Sequence, residues 1–401
     1  MVQGSTKRNI MAENLQNEHA CWLAVHRAHG IGAVTFLKLL SIFGGPAKIL
    51  ETSRTKLSEC SLKPESIDSL LSPNWEQIDK DCQWLSTNKA AVITIADGLY
   101  PPLLKEIADP PPLLFILGDQ SLLATEQLAI VGSRTPTPMG EQTAEEFAKS
   151  LAEVGWTITS GMALGIDAAC HRGALRAENG HTIAVIGTGI DRVYPARNRD
   201  LAHQIAQKGL IISEFPLGTS PVPGNFPRRN RIISGMSRGV LVVEAALRSG
   251  SLITAKQALE QGREVFALPG SIHNPLSRGC HSLIRQGAKL VETAEHIYEE
   301  LVEILPRHPQ INLSSNVGDS NQTQETIQEL DTEYQIVLKY VGFEPTAVDT
   351  VVKECGLTAD AVCSMLLVLE LQGYIVSTHG GHYCKISEYH LLDETSDEES
   401  D

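Results

Sequence analysis

The feature that most constrains this chain is a series of short, unbroken apolar runs, each followed by a Gly- or Ser-led loop and then an amphipathic stretch. Leu128-Ala129-Ile130-Val131 is the first. Thr157-Ile158-Thr159, Thr182 to Ile186, Leu210-Ile211-Ile212, Val240 to Val243 and Val265 to Leu268 follow. A strand covered on both faces needs a run of this kind. The intervening stretches read as helices, among them one over 140–153 and one from near Ile166 to near Glu178. Such alternation predicts a doubly wound parallel sheet with right-handed crossovers. The expected fold class is therefore α/β, with an extended Rossmann-like parallel sheet core over 88–303.

The flanks differ in character. Residues 1–17 read as a flexible tail and 18–86 as a small helical domain. There, Gly30-Ile31-Gly32 stands between two apolar helical patterns, as in a SAM or helix-hairpin-helix unit, whose turn amides can hold a phosphate. Basic residues are sparse nearby, which favours an ordinary packing turn. Residues 306–329 are rich in Asn, Ser, Gln and Thr and read as a linker. Residues 331–386 give three helices and a hairpin turning at Gly380-Gly381, the order of a C-terminal winged-helix domain. The end of the chain, 388–401, reads as an acidic disordered tail.

Net charge is −15, which argues against a polyanionic partner until its distribution is considered. From Leu128 to Glu300 there are 18 Lys and Arg against 16 Asp and Glu, so the acidity lies in the flanks. The eight cysteines form no CxxC pair and no zinc-like cluster, as expected of small buried hydrophobes in a reducing, cytoplasmic setting. No apolar run approaches the roughly 20 residues of a membrane helix, so no membrane partner is expected.

Ligands of open parallel sheets bind outside the carboxyl ends of the strands. Three loops there begin with small residues: Gly132-Ser133-Arg134, Ser160-Gly161, and Gly187 to Gly189. Glycine admits close backbone approach, and the following helix N-termini offer amides to phosphates. None is a dinucleotide fingerprint or a Walker loop, so no cofactor and no metal are expected. Arginines accompany the loops: Arg134 in the first, Arg197 and Arg199 after the third. Then comes Phe226-Pro227-Arg228-Arg229-Asn230-Arg231, expected just before a helix. From Pro227 to Gly239 there are four arginines and no acidic residue. Cations interleaved with an aromatic suit a strand whose bases can stack.

Taken together, GSRTPTPMG, SGMALGIDAACHRGAL, AVIGTGIDRVYPARNRDLA, ISEFPLG, NFPRRNRIISGMSRGVLVVEAALRSGSLITAKQA and GREVFALPG resemble the DNA-processing protein A family (DprA, also called Smf) over nearly all of Leu128 to Val291. The resemblance implies single-stranded DNA binding without sequence specificity, homodimerisation, and loading of RecA recombinase with displacement of single-strand-binding protein during natural transformation. By position it assigns DNA contacts to Arg134, to Arg229 and Arg231 of the FPxRNRxISG motif, and, further along, to Lys256.

Two other functions compete with this one. A nucleotide phosphoribohydrolase on the same Rossmann variant would place Glu244 and Arg248 at a PGGxGTxxE loop, but that loop is absent. No carboxylate pair, Ser/His/Asp order or Cys/His dyad offers turnover, so no catalytic residue is expected. A winged-helix regulator would read duplex DNA with a helix near Leu357 to Gln372, which holds no Lys or Arg. For the dimer, Ile297, Leu301, Ile304 and Leu305 are expected to form a self-complementary apolar patch.

Overall fold

The structure, a computed structural model, describes residues 17–302, 331–342, 345–378 and 380–385. The expected tail over 1–16, the linker over 306–329, the acidic tail and positions Ile304 and Leu305 lie outside the described residues. The chain divides into a large N-terminal unit and a small C-terminal one.

The large unit opens with six helices: α1 (Glu18–Arg27), α2 (Ala33–Phe43), α3 (Pro46–Glu51), α4 (Arg54–Glu59), α5 (Pro64–Leu71) and α6 (Trp75–Thr87). The Gly-Ile-Gly turn joins α1 to α2, with Gly30 set against α5 and Gly32 exposed. The His29 amide donates to Ser69 Oγ at 2.9 Å, and a Cβ on Gly30 would meet Ser66 Oγ at 2.5 Å.

Then come β1 (Ala90–Thr94), α7 (Pro102–Lys105), β2 (Leu113–Gly118), β3 (Gln127–Val131), α8 (Pro138–Glu153), β4 (Thr157–Ser160), α9 (Ile166–Arg176) and β5 (Thr182–Ile186). They are followed by α10 (Arg199–Lys208), β6 (Leu210–Ser213), α11 (Asn225–Met236), β7 (Gly239–Val242), α12 (Gly250–Glu260) and β8 (Glu264–Ala267). The unit ends with α13 (Arg278–Arg285), β9 (Lys289–Leu290) and α14 (Ala294–Val302). The sheet order is β1-β2-β6-β5-β4-β3-β7-β8-β9. Strands β3 to β9 are mutually parallel, as expected. One edge is not: β2 runs antiparallel to both β6 and β1. The chain steps outward from β3 to β6, then returns to β7 beside β3, with Val131 level with Val242. The order of strands reverses there, between β3 and β7, where open α/β sheets bind ligands.

Alternation along the strands splits the core. Leu128, Ile130, Ile158 and Leu241 face α8, α9 and α14 through Phe147, Ile166 and Leu301. Ala129, Val131, Val185 and Val242 face α11 and α12 through Ile233 and Ala255. Helices α1 to α6 share a third cluster with the sheet through Trp22, Leu23, Phe115, Ile186 and Ile205. Ile297 and Leu301 are fully buried in their own core. The expected apolar dimer patch therefore does not exist at these two positions, because their surface is already spent inside the protomer.

The small unit holds α15 (Thr332–Tyr340), β10 (Thr346–Ala347), α16 (Val348–Cys355), α17 (Ala359–Leu371), β11 (Ile375–Thr378) and β12 (His382–Lys385). Its sheet is ordered β10-β12-β11, and the wing turns through Gly380 and Gly381, both at positive φ (82° and 72°). Only glycine meets such a turn without strain. Val337, Val351, Leu366 and Ile375 fill the core. This is the winged helix expected from the sequence.

Candidate single-stranded nucleic-acid groove

A groove of about 650 Å³ opens at the β3/β7 switch point. Its first wall is the loop leaving β3. A Cβ on Gly132 would meet Ile166 Cγ1 at 2.6 Å, so only glycine lets the chain turn there. Ser133 is buried, and its hydroxyl accepts the Thr135 amide at 3.1 Å. That bond fixes the turn, and the next side chain, Arg134, points out, exposed.

The second wall is α11. Its N-terminal turn holds the aromatic-and-arginine cluster, which lies inside the helix and not before it. Phe226 stands against Gly187, where an added Cβ would lie 2.9 Å from the ring, and Asn225 Nδ2 donates to the Gly187 carbonyl at 3.1 Å. So Gly187 seats an aromatic, not a phosphate. Arg134 lies over the Phe226 ring with its guanidinium carbon 5.9 Å from the centroid, and Tyr194 meets the ring's neighbourhood at 5.6 Å between centroids. Cation, ring and ring thus share one wall, the pairing that serves both phosphates and bases.

The floor is a buried pair of opposite charges. Arg229 is 5% exposed. One Nη donates to the Val185 carbonyl, while its Nε has no hydrogen-bond partner among the described residues. Burial brings its pKa down to about 10, with Asp167 opposing and Arg134 adding to the fall. It therefore stays charged near neutral pH. Asp167 accepts the Ala163 amide at 3.2 Å. Burial pushes its carboxyl above the ordinary range, against the pull of Arg229 first and of the Ala163 amide and Arg134 after it.

The third wall comes from the loop after β7, which the sequence reading passed over as a DNA contact. Arg248 and Ser249 to Ser251 line it. Ser249 caps α12, its hydroxyl 2.6 Å from that of Ser251, and Asn230 Nδ2 reaches the Gly250 carbonyl at 3.5 Å. Tyr194, Asp167 and Arg248 line the groove and were not among the expected contacts. For Arg248 the signal was present: an arginine and a Ser-Gly-Ser cap directly after an apolar run.

Of the expected contacts, Gly132, Ser133, Arg134, Phe226, Arg229 and Asn230 come together here. Others do not. Ser160 is fully buried, its hydroxyl donating to the Ile130 carbonyl at 2.6 Å. Gly161 lies beneath Asp167 and Arg229, and its carbonyl accepts from His171 Nε2 at 2.6 Å. Gly189 is buried and its amide donates to Thr219 O at 3.0 Å. Arg231, 4% exposed, is locked inward: Nη2 to Glu214 Oε2 at 2.5 Å, Nη1 to the Asp109 carbonyl at 2.7 Å, and Nε 3.2 Å from Asp109 Oδ2. Arg228 also reaches Glu214 Oε2, at 3.1 Å, and lies over Phe215. Arg197, Arg199 and Lys256 are exposed but outside the groove lining, and Lys256 stands 3.8 Å from Glu260.

The phosphoribohydrolase arrangement is not formed. The Glu244 carboxylate packs against Gly140 in the first turn of α8, away from the groove that Arg248 lines. Among the described residues no group of His, Cys, Asp and Glu could hold a metal ion, and no helix is long and apolar enough to cross a membrane.

Comparison with known proteins bears on the family and the fold. The family model for DNA recombination-mediator protein A matches residues 91–302, and that for the DprA winged helix domain matches 321–381. Protein Smf of Escherichia coli (strain K12) is 43% identical over 330 residues, 81% of this chain and 86% of that protein. DNA processing protein DprA of Bacillus subtilis (strain 168) is 49% identical over 212 residues, 53% of this chain and 71% of that one. The X-ray structure of DNA processing protein A from Streptococcus pneumoniae aligns with a TM-score of 0.64 and 37% identity, over 72% of this chain and 99% of that chain. DNA processing protein A from Helicobacter pylori, whose structure concerns its single-stranded DNA binding mode, aligns with a TM-score of 0.50 and 31% identity, over 55% and 99%. This chain belongs to the DNA recombination-mediator protein A family, DprA/Smf.

Proposed function

We propose that this chain binds single-stranded DNA in the β3/β7 groove without sequence preference and without cutting it, in the bacterial cytoplasm. The observation that carries the reading is the shared wall of Arg134, Phe226 and Tyr194 above the buried Arg229. The exposed Arg134 guanidinium meets a phosphate there, with the charge of Arg229 beneath it, while the half-exposed rings of Tyr194 and Phe226 meet unpaired bases. Ring faces stack on any base, which explains indifference to sequence. In a duplex the bases are already stacked and paired, so the rings gain nothing.

Family membership supports the further steps: protection of incoming strands during natural transformation, displacement of single-strand-binding protein and loading of RecA by a homodimer. Anisotropy titrations of a labelled oligothymidylate and a blunt duplex of equal length test the binding step. Equal affinities sink it. RecA-driven strand exchange on strands coated with single-strand-binding protein tests the loading step, and no stimulation counts against it.

A second reading, regulation through the winged helix, lacks an observation in its favour. Helix α17 carries no cation, and Asp360, Cys363, Leu367 and Leu371 occupy its exposed side.

A further inference from the structure

On the helical segment a second concavity, of about 380 Å³, opens to solvent between α2 and α4. Lys38, Ile42 and Phe43 line it from α2, and Lys56, Glu59 and Cys60 from α4 and the residue after it. Val34, Lys38 and Ile42 succeed one another at helical spacing, so they share one face of α2. Much of that face is apolar and open to water: Val34 is 64% exposed and Ile42 52%. Both lysines are exposed, and neither they nor Glu59 have an ion-pair partner among the described residues. A third lysine, Lys48 of α3, holds its Nζ 3.8 Å from the place of a Cβ on Gly44, the residue after Phe43. The same segment pairs its surface charges elsewhere, Lys80 with Glu76 at 2.7 Å and Arg54 with Asp68.

We propose that this concavity docks a short acidic segment of a partner protein, one that carries a large apolar side chain. Single apolar residues on a surface are ordinary, but apolar groups gathered at a concavity and rimmed by charge mark a binding face. Ile42 and Phe43 offer the floor for one aliphatic or aromatic side chain. Charge selects what surrounds that side chain. Unpaired ammonium groups on both helices attract carboxylates and repel a basic partner. The lysine stems extend the apolar floor while their heads stay in water. Nucleic acid fits less well. The lining holds no arginine to grip a phosphate in two places, and Glu59 stands against a row of phosphates. A peptide can set one carboxylate beside each lysine and leave Glu59 to solvent. None of the six lining residues belongs to the strand groove, so the protein partner and the strand use different surfaces.

The test uses the full chain and short labelled peptides, read by anisotropy. The first peptide sets Asp and Glu around a central Phe, the second has Ala in place of that Phe, and the third keeps the Phe among Lys residues. The first is expected to bind, and the other two to bind about ten-fold more weakly or worse. Ile42→Asp should cut affinity for the first peptide by about ten-fold, and so should Lys38→Glu combined with Lys56→Glu. All three positions are exposed, and circular dichroism checks the fold. Should Ile42→Asp fail to fold, the lysine pair decides. Oligothymidylate affinity is expected to hold in both variants. Absence of binding by the first peptide overturns the proposal, as does equal binding of all three. Peptide affinity that survives the lysine reversals places the peptide elsewhere and also overturns it. A loss of oligothymidylate affinity as large as the loss of peptide affinity would give this face to nucleic acid instead.

Discussion

Arg134 rests its guanidinium over the ring of Phe226, 5.9 Å from the centroid, although one belongs to the loop after β3 and the other to the first turn of α11. The contact ties the two walls of the groove at the point where cation and aromatic are both needed. Arg134→Ala should leave the fold intact, since the side chain is exposed and buries little apolar area. Loss of a charge-assisted contact of about 1.5–3 kcal/mol should weaken single-strand binding by about ten-fold or more. The salt slope should shrink by about 0.7 log unit if one phosphate is released. Phe226→Ala should also weaken binding but leave the slope alone. Arg54→Ala is the control, its partner being Asp68 on the surface of the helical segment. Anisotropy titrations at three salt concentrations separate the cases, and an Arg134→Ala protein binding like the control would move the strand elsewhere.

Arg231 has a different role from the one its motif implies. It meets Glu214, a carboxylate 2% exposed whose pKa burial pushes up and Arg231 pulls back. Arg231→Ala leaves that charge with Arg228 alone. Removing one partner of a buried pair costs about 3–5 kcal/mol, and the remaining Arg228 contact argues for the lower end. Urea unfolding should show the loss directly. A stable Arg231→Ala protein with weakened DNA binding would restore the residue to the strand's path.

How much of this was legible beforehand follows from burial. The runs at β3 to β8 were readable because strands covered on both faces are apolar throughout. Leu113 to Leu117 is as apolar as these, but Gly118 leads only into a short 3-10 turn over Gln120–Ala124 and not into an amphipathic helix, and so β2 escapes a reading keyed to strand–helix alternation. The arginines were harder. With the helix begun at Asn225, positions 229, 232, 233 and 236 fall at helical spacing and all point inward. The reading that started the helix after Arg231 lost that phase, so it could not separate the buried Arg229 from the exposed Arg228. Arg231 shares the face of Arg228 and is buried by Glu214 and Asp109, which no helical phase announces. Charge in a sequence says nothing about which way a guanidinium faces until the helix is in register.

Gly161 sits where the groove floor is assembled. An added Cβ would overlap Asp167 Oδ2 and the guanidinium of Arg229, with Nη2 at 2.6 Å. Arg229 is pinned at Val185 and cannot yield without losing that bond. Gly161→Ala should therefore cost about 1–3 kcal/mol of stability by overpacking and weaken strand binding several-fold. Gly224→Ala, where a Cβ meets nothing within 4 Å, should change stability little. Thermal unfolding of the two variants side by side decides it, and equal midpoints would show that the floor adjusts freely.

His171 makes stability depend on pH in a stated direction. It is fully buried, with Nε2 at 2.6 Å from the Gly161 carbonyl and Nδ1 at 2.6 Å from the Thr182 hydroxyl. A carbonyl only accepts, so Nε2 carries a proton, while the one Thr182 hydroxyl proton lies between Nδ1 and the Ile158 carbonyl, 2.7 Å from Oγ1. Burial lowers its pKa from the ordinary 6.5 to about 4. In the unfolded chain the ring takes a proton near 6.5, whereas the folded protein resists until about 4. Folding stability is therefore fully present above pH 6.5 and is lost as pH falls toward 4, by at most about 1.4 kcal/mol per pH unit for this group. His26, lowered to about 4 by burial and then by Arg228 and Arg27, acts in the same sense. Asp167 and Glu214 act in the opposite one, because their raised pKa values let the folded state take up protons first. A difference measurement removes those shared contributions. The stability gap between wild type and His171→Asn should be widest near pH 7 and should narrow steadily down to pH 4.5. Because the same ring holds the Gly161 carbonyl under the groove, strand affinity in the variant should be lower even at pH 7. Stability curves that run parallel for the two proteins across this window would mean that His171 is not neutral in the fold.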